Sequence, residues 1–464
     1  MKNETSKPWV IISVHKTVRE LESKLLLTSF LIEKGFNVII GRTGYLRDNF
    51  SFLPRGIYFD LRFLKTRKKV FKKAVKYGHK VVTIDEEAVS APNLKFYLKQ
   101  VDNETLNLTE RIFCWGKVHS NIINSVVSKK NKKKIIESGH PRFDILRPEF
   151  DNFFIRKSIK LKNRYGDFIL INSSTGGWVM KSEVEKQYKG YTSRNIISNS
   201  ENEKNNFFND FRYRKKKHKK LVELIEALAL KFPQKKIIIR PHFTESIKDW
   251  KSSLSKVLAN NTNIKIIKSG SVNYWIKASK LMIHTGCTTG TESFVGKNHV
   301  IIYEPNEIIN HDTTPKISSK LSIYASSINE VLSISYNIFN NKYFESKSKR
   351  IEKEKLFDTN YSSRTGKFSS EIISEELAKI AFTDKANFDL EKKSKSFKYL
   401  SFFTKKNILM RYLYSRLFPS LEETIYKKKV KSIIKDFFKI QQKKHVILDF
   451  SIISHELFMI KKRS

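Results

Sequence analysis

Small, hydroxylated and acidic residues crowd into one stretch, HTGCTTGTES (284–293), between two apolar runs at 280–286 and 299–305. Read as a strand followed by a helix from Thr288 to Lys297, the turn formed by Thr285, Gly286, Cys287, Thr288, Thr289 and Gly290 would point backbone N–H groups beyond the strand ends. Glycine permits close approach and a helix start favours negative charge, so the chemistry expected is phosphate binding. Glu292 would then accept from a ribose or sugar hydroxyl. The competing reading is an ordinary capped helix in which Thr288 and Glu292 serve local needs. Arg240 and His242, in IIIRPHFTES (237–246), end another apolar run and offer cationic donors to the same phosphate.

A second group is acidic. TIDEEAVS places Asp85, Glu86 and Glu87 at the end of an apolar run. Three neighbouring carboxylates raise one another's pKa, which suits a general acid, base or nucleophile in glycosyl chemistry. The competing reading is a solvated loop with an acidic helix start. His15, Lys16, Arg19 and Glu20 follow the first apolar run and are expected at the same edge as acceptor or positioning residues, and His140 and Arg142 lie in GHPRFD, read as a hinge whose histidine and cation could face that edge.

The elements that must position these residues are legible as alternation. Buried runs at 9–15, 36–41, 56–61, 79–85, 111–116 and 133–139 alternate with segments of helical period, as do runs at 167–174, 235–242, 264–269, 280–286 and 299–305. Continuous apolar strands between amphipathic helices predict parallel sheets covered on both faces. The expected fold is α/β: two Rossmann-like domains facing a cleft, residues 1–145 and 146–385, followed by a basic, aromatic helical tail over 386–464. A long polar segment at 175–206 is expected to be a mobile loop.

The tail has an apolar face formed by Tyr426, Val430, Ile433 and Phe437, with lysines between. It reads either as a helix packed on the domains or as a peripheral contact with an anionic membrane through residues 391–464.

Bulk properties exclude several classes. Cys114 and Cys287 are the only cysteines in 464 residues, which rules out a disulfide framework and a paired-cysteine metal site. No GxGxxG or P-loop motif occurs, which disfavours dinucleotide enzymes and P-loop NTPases. No run approaches the length needed to span a bilayer, so a cytoplasmic location, peripheral at the inner face of the membrane, is expected. The formal charge of +43 is spread along the chain together with abundant Lys, Asn and Ile. A nucleic-acid partner is disfavoured because no RRM, KH or zinc pattern accompanies the charge.

In order and spacing, VRELESKLLLTSFLIEKGFNVIIG, DEEAVS, FCWGKVHSNII, SGHPRFDIL, IIIRPHFTES and HTGCTTGTESFVGKNHVIIYEP resemble the bacterial surface carbohydrate biosynthesis proteins, a group similar to glycosyltransferases of the GT-B architecture. The chain is also similar to CDP-glycerol glycerophosphotransferases and, more distantly, to Kdo transferases, although GCTTGTES stands where the glycerophosphate enzymes carry an Asp- and Ser-rich version. The resemblance implies a metal-independent, cofactor-free glycosyltransferase with a nucleotide-sugar donor on the second domain and a lipid-linked or polysaccharide acceptor on the first. Glycerophosphate transfer is the alternative, and a nucleic-acid-binding protein or a non-catalytic membrane-associated scaffold is the rival from another class.

Overall fold

The computed structural model describes residues 7–87, 97–180, 183–193, 197–305, 316–382, 427–443, 446–454 and 457–462. The described residues form two compact α/β units, each built on its own Rossmann-like parallel sheet.

In the first unit β1 (Trp9–Val14), β2 (Asn37–Arg42), β3 (Ile57–Asp60), β4 (Lys80–Ile84), β5 (Thr109–Cys114) and β6 (Ile135–Glu137) pair in parallel in the order β2-β1-β3-β4-β5-β6. The helix Thr17–Glu33 crosses from β1 to β2. It stops at Gly35, whose φ of +91° is the left-handed conformation that closes a helix end, and Phe36 N–H returns to the Leu31 carbonyl at 3.0 Å. Trp9, Ile11, Ile39, Tyr58, Phe71 and Val81 pack as one core on one face.

In the second unit β7 (Ile169–Asn172), β8 (Ile237–Arg240), β9 (Ile264–Ile266), β10 (Leu281–His284), β11 (His299–Tyr303) and β12 (Ile323–Ala325) form an all-parallel sheet, β12-β11-β10-β7-β8-β9. The helix Glu201–Lys231 buries Leu221, Leu224, Ile225 and Leu228 against Ile169, Ile171, Ile237 and Ile239. The segment expected to be a loop is helical where described: Gly177–Met180 and Val184–Thr192 precede the long helix. Tyr188 and Tyr191 pack on Phe207, so aromatic contacts supply the order that the polar composition concealed.

The domain boundaries differ from those expected. The units divide as Met1–Phe153 with Asp358–Ser464, and Phe154–Phe357, so the described residues of the expected tail, 427–443, 446–454 and 457–462, group with the first unit. Two features bring it back. Asp144 of GHPRFD accepts from Ser369 N at 2.9 Å and Ser370 N at 2.7 Å, capping the helix Ser369–Phe382, and Arg147 donates to the Gly366 carbonyl at 3.0 Å. Then β13 (Leu448–Ser454) and β14 (Leu457–Lys462) form an antiparallel hairpin that covers the free edge of β2.

The helix Lys427–Ile440 has Val430, Ile433, Ile434, Phe437 and Phe438 buried, and Phe437 stacks on Phe153 at 4.7 Å. Its apolar face is therefore consumed inside the unit and is not a membrane face. Tyr426 and the rest of the expected membrane segment at 391–426 lie outside the described residues.

Candidate functional site

Parallel strands end together, so the residues just beyond them gather at one carboxyl edge in each unit. At the first edge the turn after β4 carries the three acidic residues, and the structure separates them onto different partners. Glu86 is the buried one at the centre. Its Oε1 lies 2.7 Å from Lys24 Nζ and its Oε2 lies 3.2 Å from His140 Nε2, while Arg142 donates to its carbonyl at 3.3 Å. Lys24 and Glu20 stand one turn apart on the inward face of Thr17–Glu33, and both are fully buried.

Arg142 N–H donates to His140 Nδ1 at 3.1 Å, which leaves Nε2 as the protonated nitrogen facing Glu86. Trp115 lies edge-on to His140 at 4.7 Å and donates to the Asp85 carbonyl at 2.6 Å. Asp85 accepts from Tyr97 at 3.0 Å, and Tyr97 stands 3.4 Å from His119. Glu87 bonds Arg19 nearer the surface. His15 is exposed and contributes its backbone N–H to Glu20 at 2.7 Å.

The electrostatics differ from mutual elevation by three carboxylates. Burial works to raise Glu86, but Lys24 and then His140 overcome it and hold this carboxyl well below the usual range. Asp85 is pushed up to about 6 by burial, partly offset by Arg62. Burial and the Glu86 charge raise Glu20 against the pull of Arg19. Glu86 is thus the fixed anion of a buried network, not a proton-exchanging member of an acidic cluster.

At the second edge, in-register pairing aligns His284, Asn172 and Arg240 at the ends of β10, β7 and β8. His284 is fully buried. Its Nδ1 accepts from Gly286 N at 3.1 Å and Cys287 N at 3.0 Å, and its Nε2 faces Ser322 Oγ at 2.9 Å. Two of the N–H groups expected to meet phosphate are therefore already taken by the histidine before them. Gly290 N–H goes to the Cys287 carbonyl, and the amide and hydroxyl of Thr289 serve the Cys287 sulfur. The helix itself is short, Thr289–Val295, with Thr288 half-buried and Glu292 buried in its first turn. A Cβ on Gly290 would stand 2.6 Å from His284 Nε2, so glycine here permits helix-to-histidine packing and not ligand approach.

Arg240 also turns inward. It donates to the carbonyls of Ser269 at 2.8 Å and Gly270 at 2.7 Å, and its guanidinium lies over Trp275 at 5.2 Å. Its fork holds the loop after β9 and is not directed at a phosphate. His242, half-buried, has Nδ1 2.8 Å from Thr244 Oγ1.

What the turn does leave is side chains. Asn172 Nδ2 donates to Thr289 Oγ1 at 3.1 Å, but Asn172 Oδ1 and Thr285 Oγ1 are buried with no hydrogen-bond partner among the described residues. Beside them Glu245, singled out by nothing in its sequence context, is a six-donor hub. Its carboxylate accepts from Thr175 N and Gly176 N at 2.9 Å, Thr175 Oγ1 at 3.1 Å, Trp250 Nε1 at 2.8 Å, His242 N at 3.2 Å and Ser173 Oγ. Burial alone would raise Glu245; the bonds from Ser173 and Trp250 more than offset it and lower its pKa. The loop leaving β7 is shaped by this one carboxylate.

Glu20 stands at the first edge as expected, but Lys24 was missed, and a sequence signal existed: it interrupts the apolar stripe of Leu21 and Leu25 one turn after Glu20. Trp115 and His119 carried no such mark.

The buried histidines make a pH prediction. Burial pushes His119 and His284 down to about 3 and His140 to about 4, from 6.5. Unfolding therefore takes up protons as pH falls below 6.5, and the stability these groups contribute above that value is lost on acidification towards their folded pKa values. Asp85 acts in the opposite sense, its contribution present at low pH and lost as pH rises through about 6. His218 and His299, also lowered by burial, add to the histidine side, and Glu20, Asp60 and Asp144, raised by burial, add to that of Asp85. Because the unfolded histidines protonate inside this window, the urea midpoint is expected to fall between about pH 7 and about pH 5. A flat or rising midpoint would contradict the neutral-histidine assignment.

Among the described residues no group of three or more His, Cys, Asp or Glu is placed to hold a metal ion, and no helix is long and apolar enough to cross a membrane.

No protein-family model and no curated protein matches the chain. Solved structures similar to it include the UDP-GlcNAc 2-epimerase from Neisseria meningitidis bound to UDP-GlcNAc, at 12% identity, covering 81% of this chain and 100% of that one with a TM-score of 0.48. The UDP-GlcNAc 2-epimerase from Methanocaldococcus jannaschii matches at 13% identity over 80% and 99% of the two chains, TM-score 0.48. The wall teichoic acid polymerase TagF, soaked with CDPG, matches at 10% identity over 81% and 88%, TM-score 0.48. At these identities and TM-scores the likeness assigns no activity to the chain.

Proposed function

We propose that the chain is a glycosyltransferase that moves a sugar from a nucleotide-activated donor to an acceptor in the assembly of a cell-surface polysaccharide, with the donor bound by the second unit. The observation that carries this reading is the pair of buried, unpartnered polar atoms, Asn172 Oδ1 and Thr285 Oγ1, at the carboxyl edge of a Rossmann-like sheet. Buried polar atoms are almost always satisfied, and this edge is where open α/β sheets take their ligands. In the transfer, the acceptor oxygen bonds the anomeric carbon as the bond to the donor phosphate breaks; the acceptor proton goes to a base and the charge departs with the nucleotide.

Of the three carboxylates first considered for that base, Glu87 is the accessible one, its side chain 36% exposed against 3% for Glu86. Glu87→Gln is expected to lower kcat about a hundredfold with an unchanged melting temperature. Undiminished turnover would remove Glu87 from the chemistry.

The reading is tested by thermal stabilisation with CMP-, CDP-, UDP- and GDP-linked sugars and with CDP-glycerol. Stabilisation by one nucleotide-sugar, followed by sugar transfer, is expected. Stabilisation and transfer with CDP-glycerol alone would replace it with glycerophosphate transfer, and no response to any donor would overturn it.

A further inference from the structure

One cation at the second edge is used by nothing described so far. Lys217 sits on Glu201–Lys231 one turn before Leu221, so it continues the stripe that Leu221, Leu224, Ile225 and Leu228 bury in the core. It is 6% exposed. Its Nζ stands 5.5 Å from the centre of the Tyr213 ring and makes no ion pair with a described carboxylate; Glu304 and Asp210 act on it from farther off. Its charge is felt at both His284 and Cys287, the residues that flank Thr285 and Gly286.

An ammonium buried without a close counter-charge destabilises a fold, and an apolar side chain on the same stripe would pack there at lower cost. Burial accordingly pushes Lys217 down to about 8, only partly offset by Glu304. Three side chains, each more than nine-tenths buried, thus belong to this strand-end region: a cation with no ion pair to a described carboxylate, whose charge reaches His284, and a hydroxyl and an amide oxygen with no hydrogen-bond partner among the described residues.

We infer that Lys217, Thr285 and Asn172 form the subsite for the phosphate-bearing part of the nucleotide donor, with Lys217 and Thr285 holding phosphate oxygens and Asn172 Oδ1 accepting from a hydroxyl of the attached sugar or ribose. This rests on the donor-binding role proposed above and adds the anion-binding group that role lacks, since Arg240 and two of the turn amides are engaged elsewhere. The lysine is hidden in sequence by its neighbours: RKKKHKK (214–220) presents six other basic residues, and the helical phase alone turns this one inward.

The test is calorimetric titration of the full chain with UDP, CDP, GDP and CMP, and inorganic pyrophosphate as competitor. With whichever nucleotide binds, Lys217→Met is expected to weaken affinity about 10- to 100-fold and to abolish competition by pyrophosphate. Without ligand it should melt about 2–4 °C higher, because a buried unpaired charge has been removed. Lys217→Arg should retain most of the affinity. Wild-type binding that Lys217→Met leaves unchanged would overturn the lysine's role while leaving the donor reading intact; a wild-type chain that binds no nucleotide overturns both. A lower melting temperature for unliganded Lys217→Met, restored by Lys217→Arg, would show a structural lysine and also overturn the inference. Should Lys217→Met fail to fold, Thr285→Val decides: unchanged nucleotide affinity would sink the subsite, and a loss of about fivefold or more supports it.

Discussion

Glu245→Ala is expected to destabilise the second unit by about 3–5 kcal/mol and to loosen the loop after β7. Six donors converge on this carboxylate, among them three backbone amides and the Trp250 indole. Alanine would leave buried N–H groups without acceptors, each costing about 1–3 kcal/mol, reduced where water enters the space. Glu245→Gln should cost less, about 2 kcal/mol, because one oxygen can still serve Thr175 and Gly176 while the new amide opposes the Trp250 N–H donor. The urea midpoint of the second unit and hydrogen exchange at the amides of 175, 176 and 242 are the measurements. Exchange at wild-type rates in Glu245→Ala would show that other groups hold the loop. Because Asn172 and Ser173 lie at the start of that loop, nucleotide affinity should fall with its order.

Lys24→Met is expected to cost the first unit about 3–5 kcal/mol, because it strips the ammonium from Glu86 and leaves that carboxylate buried beside Glu20. A charge without its partner is worse than no charge, so Lys24→Met with Glu86→Gln should recover much of the loss. His140 can still donate to a glutamine oxygen, since its Nδ1 already accepts from Arg142 N–H and its Nε2 bears the proton. Urea unfolding followed by the fluorescence of Trp115, which lies against His140, reads the cycle directly. If the double variant is no more stable than Lys24→Met, the coupling is not electrostatic.

These two effects come from residues that a reading by type placed poorly. Asp85, Glu86 and Glu87 attract attention as an acidic run, yet their neighbours in space divide them into a hydrogen-bonded acid, a buried anion and an accessible partner of Arg19. Arg240 and the 285–290 turn looked like a phosphate cradle because strand ends, glycines and cations favour one. The guanidinium and two of the amides instead complete the protein's own loops. GHPRFD was read as a hinge between domains, and Asp144 proves to anchor a helix that comes back from far along the chain.

By itself the sequence determined the strands β1 to β11 and their alternation with helices. A strand buried on both faces must be an unbroken apolar run, and a helix on a sheet must repeat at its own period, so local composition carries that information. It likewise determined that the functional candidates lie just beyond strand ends. Only the tertiary structure decided which candidate meets which partner, that the hairpin of β13 and β14 joins the first sheet, and that Lys24 and Glu245 are the buried centres of their networks. Hydrogen bonds and ion pairs between distant residues have no period; they are set by the order in which strands lie side by side, and by the one or two ångströms that separate an aligned donor from an unmet one.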